Sequence, residues 1–241
     1  MPGDNQPKQP APAPAPALCC CGPVKVVLKR IEVKKKTNVL WWISATDDEV
    51  AATGATRIDR QDGGPLTSTP DRWPTSEASH GLGEGEAVGT DQDPLEAPMG
   101  QVDPMLRSGH PCWIKGAVVV TLRKVSVLQD VDALAKQVAD GILGRVATGG
   151  GLLGGVEKLA NDVIDAIIHG IGLGTVPMYP SISLELDGDN TCGSKLSDLV
   201  TGQSKGSWTA TDDNHLTRVA TVTGKGGEWV VTLTAERSCP K

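Results

Sequence analysis

Apolar and charged residues alternate through VKVVLKRIEVKKK, and the alternation slips by one position after Leu28. Val24, Val26 and Leu28 share one phase; Ile31 and Val33 take up the next. A period of two with a single slip predicts a strand carrying a β-bulge. After Thr37-Asn38 the run VLWWISAT predicts a second strand, which ends at Asp47-Asp48. In CWIKGAVVVTLRKVSVLQD, the residues Ile114, Val118, Val120 and Leu122 fall in one phase, which predicts a long, well-buried strand. Ile182, Leu184 and Leu186 define one face of SISLEL. The clearest hairpin is HLTRVATVTGKGGEWVVTLTAE. It sets Leu216, Val219 and Val222 on one arm, Trp229, Val231, Leu233 and Ala235 on the other, and GKGG at the tip.

Between these strands the period changes to 3.6. Val131, Leu134, Ala135, Val138, Ile142 and Val146 form one stripe. After TGGG, Val156, Leu159, Ala160, Val163, Ile167 and Ile171 form another. Two such stripes joined by a glycine turn predict an amphipathic αα-hairpin over 129–174. The order of elements does not alternate β and α, which argues against a doubly wound parallel sheet. The fold class expected is α+β, mainly β: an antiparallel β-sandwich or open barrel with the αα-hairpin inserted.

Composition divides the chain further. Residues 1–22 are Pro/Ala-rich with nothing to build a core from, and are expected to form a disordered tail. Residues 23–241 are then one β-rich domain. Within it, 63–111 is rich in Gly, Pro, Ser, Thr and acids, and reads as a long acidic loop. The chain has no Phe and a single Tyr, so Trp must supply the large aromatic surface.

The net charge of −6 argues against a nucleic-acid binder held by phosphate neutralisation. The basic run Lys25, Lys29, Arg30, Lys34, Lys35 and Lys36 reads as the solvated face of a strand. The start of the chain lacks the charged and apolar regions of a signal peptide, and no apolar stretch is long enough to span a bilayer. The cytoplasm is therefore the default location, with signal-independent export as the other route. Residues 129–174 also have the glycine-punctuated apolar stripes of an element that enters a membrane surface.

Six cysteines are present: the triplet Cys19-Cys20-Cys21, and Cys112, Cys192 and Cys239. Neighbouring cysteines do not easily pair with each other, and none of the six has CxxC spacing. The triplet fits a soft-metal ligand cluster, a lipidation site or thiols in a tail. Without a signal peptide, the reading is mostly reduced cysteines.

The candidate chemistry centres on carboxylates. Ala-Thr-Asp-Asp occurs at 45–48 and again at 210–213. With DGD at the end of SISLELDGD, the set Asp47, Asp48, Asp187, Asp189, Asp212 and Asp213 could gather at loop mouths as oxygen ligands for Ca²⁺. Such residues also cap turns wherever strands end. DGDNTCGSKLSD fails as an EF-hand loop, because Cys192 stands where the sharp-turn glycine belongs and no helix precedes it. It fails as a phosphate-binding loop because Ser194-Lys195 transposes the lysine and hydroxyl. Gly149, Gly151 and Gly154 have GxGxxG spacing but do not follow a strand. Of the four histidines, His80 and His110 lie in the acidic stretch and His169 at a helix end. His215, beside Asp212 and Asp213, is the candidate base for a hydrolase. No nucleophile elbow or zinc-protease motif is present. These residues point to a non-enzymatic binding or structural module with a protein partner or self-association. A membrane-active protein and an unrecognised hydrolase are the alternatives.

Overall fold

The computed structural model describes residues 19–36, 48–59, 65–67, 71–75, 80–124, 181–224 and 227–240. They form two antiparallel sheets packed face to face.

The first sheet is centred on β1 (Val24–Lys35) and β13 (Gly227–Glu236). β12 (His215–Gly224) and the short β11 (Thr209–Ala210) extend it on one side. On the other side, β7 (Ala97–Val102) and β6 (Ala87–Val88) share the free edge of β1. The phase slip read in the sequence is a register shift between Leu28 and Arg30. Because Lys29 is the extra residue, Val24, Leu28, Ile31 and Val33 all stay inside with no exposed surface. The hairpin of β12 and β13 also forms as expected, closing at the Gly224–Gly227 pair. Val219 is the exception in that arm. Strict alternation puts Leu216 and Val222 inside and turns Val219 outward, where it is 65% exposed.

The second sheet runs β10 (Ile182–Asp189), β9 (His110–Lys124) and β2 (Asp48–Asp59). Three short strands tile the outer edge of β2: β3 (Pro65–Thr67), β4 (Asp71–Trp73) and β5 (His80–Leu82). β8 (Met105–Arg107) pairs with the start of β9. The acidic stretch 63–111 therefore contributes β3 to β8, and its Leu82, Met99 and Val102 belong to the core. β2 begins at Asp48, where the sequence reading ended a strand. Its VAATGAT is small and uninterrupted, and Val50 to Thr56 are buried on both faces, so no alternation marks it. β7 crosses the inner face of β2 so closely that a Cβ on Gly54 would overlap the Met99 carbonyl.

The core is aliphatic, with Trp229 fully buried at its centre and Trp208 at its rim. The open edge of β10 is covered by two 3-10 turns, Leu196–Leu199 and Gly202–Ser204. The Ser183 carbonyl there accepts bonds from the Trp208 indole N–H (2.9 Å), the Ser204 hydroxyl (3.1 Å) and Arg218 (3.2 Å). Such a cover removes a free sheet edge.

The α+β expectation is corrected to an antiparallel β-sandwich. Among the described residues the helical turns are these two, of four and three residues, so no inserted αα-hairpin is seen. The core closes because two apolar sheet faces meet, and it needs no helical layer. Residues 129–174, on which the hairpin and membrane readings rest, lie outside the described residues, as do the strand expected over 39–46 and residues 1–18.

Candidate functional site

Antiparallel pairing brings the starts of β1, β12 and β9 to one end of the sandwich, together with the ends of β13 and β10. Six cysteines meet at this pole as three disulfides. Cys19 joins Cys192 after β10, Cys20 joins Cys112 in β9, and Cys21 joins Cys239 after β13. Their Cα–Cα distances are 5.4, 5.3 and 4.2 Å, and the partners lie 173, 92 and 218 residues apart. The reading of mostly reduced cysteines is corrected: no free cysteine remains. Three adjacent cysteines do not pair among themselves, so each goes to a different element. Residues 19–22, assigned to the tail from composition, are thereby fastened into the fold.

Backbone bonds hold the same segment. Cys21 N–H donates to the Asn190 carbonyl (2.9 Å), Cys192 N–H to the Cys19 carbonyl (2.9 Å) and Gly22 N–H to the Ser238 carbonyl (2.8 Å). At the centre lies Arg237, only 5% exposed. Its guanidinium donates to Asn190 Oδ1 (2.6 Å), Asn214 Oδ1 (3.0 Å), the Ser194 carbonyl (2.5 Å) and Ser194 Oγ (3.2 Å). Asn190 in turn donates to the carbonyls of Gly22 (2.9 Å) and Cys21 (3.3 Å). Burial lowers the pKa of Arg237, while the nearby Asp213 and Asp198 oppose that shift. One buried cation thus ties the N-terminal segment, the loop after β10 and the loop before β12 into a single network.

The β8–β9 hairpin projects beside this network. Arg107 stacks over the Trp113 ring at 4.4 Å, and His110 meets the same ring edge-on at 5.0 Å. Leu106, midway along β8, is 84% exposed.

The candidate carboxylates divide between the two poles. Asp47 lies outside the described residues. Asp48 opens β2 at the far pole, eleven residues from the strand's other end, or roughly 35 Å at the rise of a strand. Asp187, Asp189, Asp212 and Asp213 are at the cystine pole, and each has a basic partner of its own. Asp189 meets His110 at 2.9 Å, Asp212 meets His215 at 2.8 Å, Asp213 meets Lys195 at 3.3 Å and Asp187 meets Lys115 at 3.9 Å. Asp212 also accepts the Asn214 N–H at 2.7 Å, and that bond, more than His215, lowers its pKa. This is the turn-capping geometry of an aspartate at a strand end.

Among the described residues, the group of three ligand side chains close enough to share an ion consists of cysteines. The sulfurs of Cys21, Cys192 and Cys239 lie within 4.8 Å of one another because the Cys21–Cys239 and Cys19–Cys192 bridges are neighbours, and all three are committed to those bonds.

Sequence reasoning missed the bridges, Arg237 and the Arg107–His110–Trp113 cluster. An even count of six cysteines was the available signal. Nothing local marks the arginine in TAERSCPK as buried. Comparison with protein-family models, curated proteins and solved structures found no match.

Proposed function

We propose that the protein is a non-enzymatic binding or structural module that works where disulfides persist and meets a protein partner through its cystine pole. The single observation that carries this reading is the triplet Cys19-Cys20-Cys21, bonded to three different elements. Cross-links of that reach suit a rigid surface in an oxidising environment. Beside it, the β8–β9 hairpin offers an exposed Leu106 together with an arginine and a tryptophan, the residue types that dominate binding hot spots. Among the described residues no helix is long and apolar enough to cross a membrane.

The hydrolase reading has the Asp212–His215 contact as its support. Both side chains are about half exposed, at 58% and 48%, and Asp212 is already engaged by the Asn214 N–H.

Two measurements test the proposal. Protein from its native source, denatured without reductant, should show no titratable thiol; six thiols would end the oxidised reading. A photo-crosslinker at position 106 in the native host should give covalent adducts, whereas one at Val219, also largely exposed, should not. Equal labelling at both positions would rule out the β8–β9 hairpin as the contact surface.

A further inference from the structure

We infer that the outer face of the second sheet is a docking surface for residues 125–180 of the same chain, whose apolar side chains cover it. Alternation along β9 turns Val118, Val120 and Leu122 toward the first sheet, and Val119 and Thr121 away from it. Pairing of β9 with β2 puts Thr53 beside Thr121 and Ala55 beside Val119, with Ala51 next along the same face. All five therefore point out of the sandwich. Yet Ala51 is 0% exposed, Val119 2%, Thr53 and Thr121 3%, and Ala55 8%. A face turned to water would not be closed to it.

Among the described residues, no element is laid over these five. The first sheet packs on the opposite side, and so does β7, where Met99 closes on Gly54. β3, β4, β5 and β8 pair edge to edge with β2 and β9 and lie in the sheet itself. The turn Gly202–Ser204 meets the β10 border of the face, where the Ser204 and Ser183 hydroxyls are 3.3 Å apart. The structure holds one chain, so whatever closes the face belongs to that chain.

Residues 125–180 are the part of the chain placed to do so. They leave β9 after Lys124 and return at Ser181, whose hydroxyl lies 3.3 Å from that of Thr121 on the face. β9 and β10 are antiparallel neighbours, which a two-residue turn can join. The connection is far longer than that, and it carries the apolar residues Val131 to Val146 and Val156 to Ile171. Left in water they would form an apolar surface of the kind folded chains avoid. Against Ala51, Ala55 and Val119, whose small side chains allow a close approach, they are buried. The stripes that read as entering a membrane are then committed to the protein's own sheet. Residues 37–47 are the competing cover. Their flanking residues, Lys36 and Asp48, belong to opposite sheets, so they have about 10 Å to cross before reaching an outer face.

The test uses the full chain with its bridges intact. Hydrogen exchange followed by mass spectrometry should show 131–171 exchanging more than about tenfold more slowly than exposed chain. Val119→Asp sets a charge beneath the cover and should return that segment to the exposed rate, while the β12–β13 hairpin keeps its protection. Val219→Asp, on the first sheet, should leave both as in the parent. A photo-crosslinker at Leu159, which changes nothing in the sheet, should give intramolecular adducts that map to 51–55 or 119–121. If Val119→Asp unfolds the hairpin as well, the Leu159 adducts decide. Exposed-rate exchange of 131–171 in the parent would overturn the proposal, as would a folded Val119→Asp chain that keeps the segment protected. Leu159 adducts absent from 51–55 and 119–121, or found only on 37–47 or a second molecule, would do the same.

Discussion

The two ends of this sandwich are held by different physics. At the cystine pole, covalent bonds and one buried guanidinium fasten five chain segments. At the far pole the segments meet through a tight turn and surface charges. There Val33 N–H donates to the Glu86 carbonyl (3.0 Å) and Gly85 N–H to the Val33 carbonyl (2.8 Å), while Lys34 reaches Glu32. The first pole should respond to reductant and hardly to salt. The second should respond to salt and pH and not to redox state. Because the same strands run through both, the contrast shows that a regular β-ladder leaves the character of its ends free to differ.

The sharpest way to break this contrast is reduction. Removing a native bridge costs about 2–5 kcal/mol, against a total stability of about 5–15 kcal/mol for a typical domain. Protein in reductant should therefore lie near or past its unfolding threshold, as followed by circular dichroism. A melting temperature that moves by less than a few degrees would show that the bridges are ornamental.

Next in size is Arg237. Arg237→Met leaves the Asn190, Asn214 and Ser194 acceptors unpaired in a buried setting and should cost about 3 kcal/mol in urea denaturation. Arg237→Lys should recover only part of that, because an ammonium lacks the planar fork. A loss below about 1 kcal/mol for the Met variant would remove the arginine from its place at the centre of the pole.

The smallest effect belongs to the far pole. Hydrogen bonding to Lys34 holds the pKa of Glu32 below its ordinary value. A carboxyl depressed in the folded state contributes stability above its unfolded pKa and loses it as pH falls through the folded one. Glu32→Gln should therefore flatten the acid limb of the stability curve and cost at most about 1 kcal/mol at neutral pH. Lys34 is half in solvent, so added salt should shrink this further. An equal acid limb in variant and parent would separate Glu32 from the pH response.

Much of the central ladder was legible in the sequence because alternation is a local signal. The slip after Leu28, the inward phase of Ile182, Leu184 and Leu186, and the closing hairpin all follow from side chains two residues apart. β2 was obscure because burial on both faces erases alternation, and β3 to β8 because two to six residues give periodicity too little to work on. The site was less legible still. Its bridges span 92 to 218 residues, and no local pattern encodes a partner at that distance. The repeated Ala-Thr-Asp-Asp misled in the other direction. Likeness of sequence placed together Asp48, which opens β2 at the far pole, and Asp212-Asp213 at the cystine pole, so proximity in space had to come from pairing.

The Cys21–Cys239 bond has a mechanical consequence. Tension applied between residues 19 and 240 enters at Cys21, crosses one covalent link and leaves at Cys239. The chain between them, a sequence separation of 218 with the whole hydrogen-bonded ladder, carries none of the load until that link is cut.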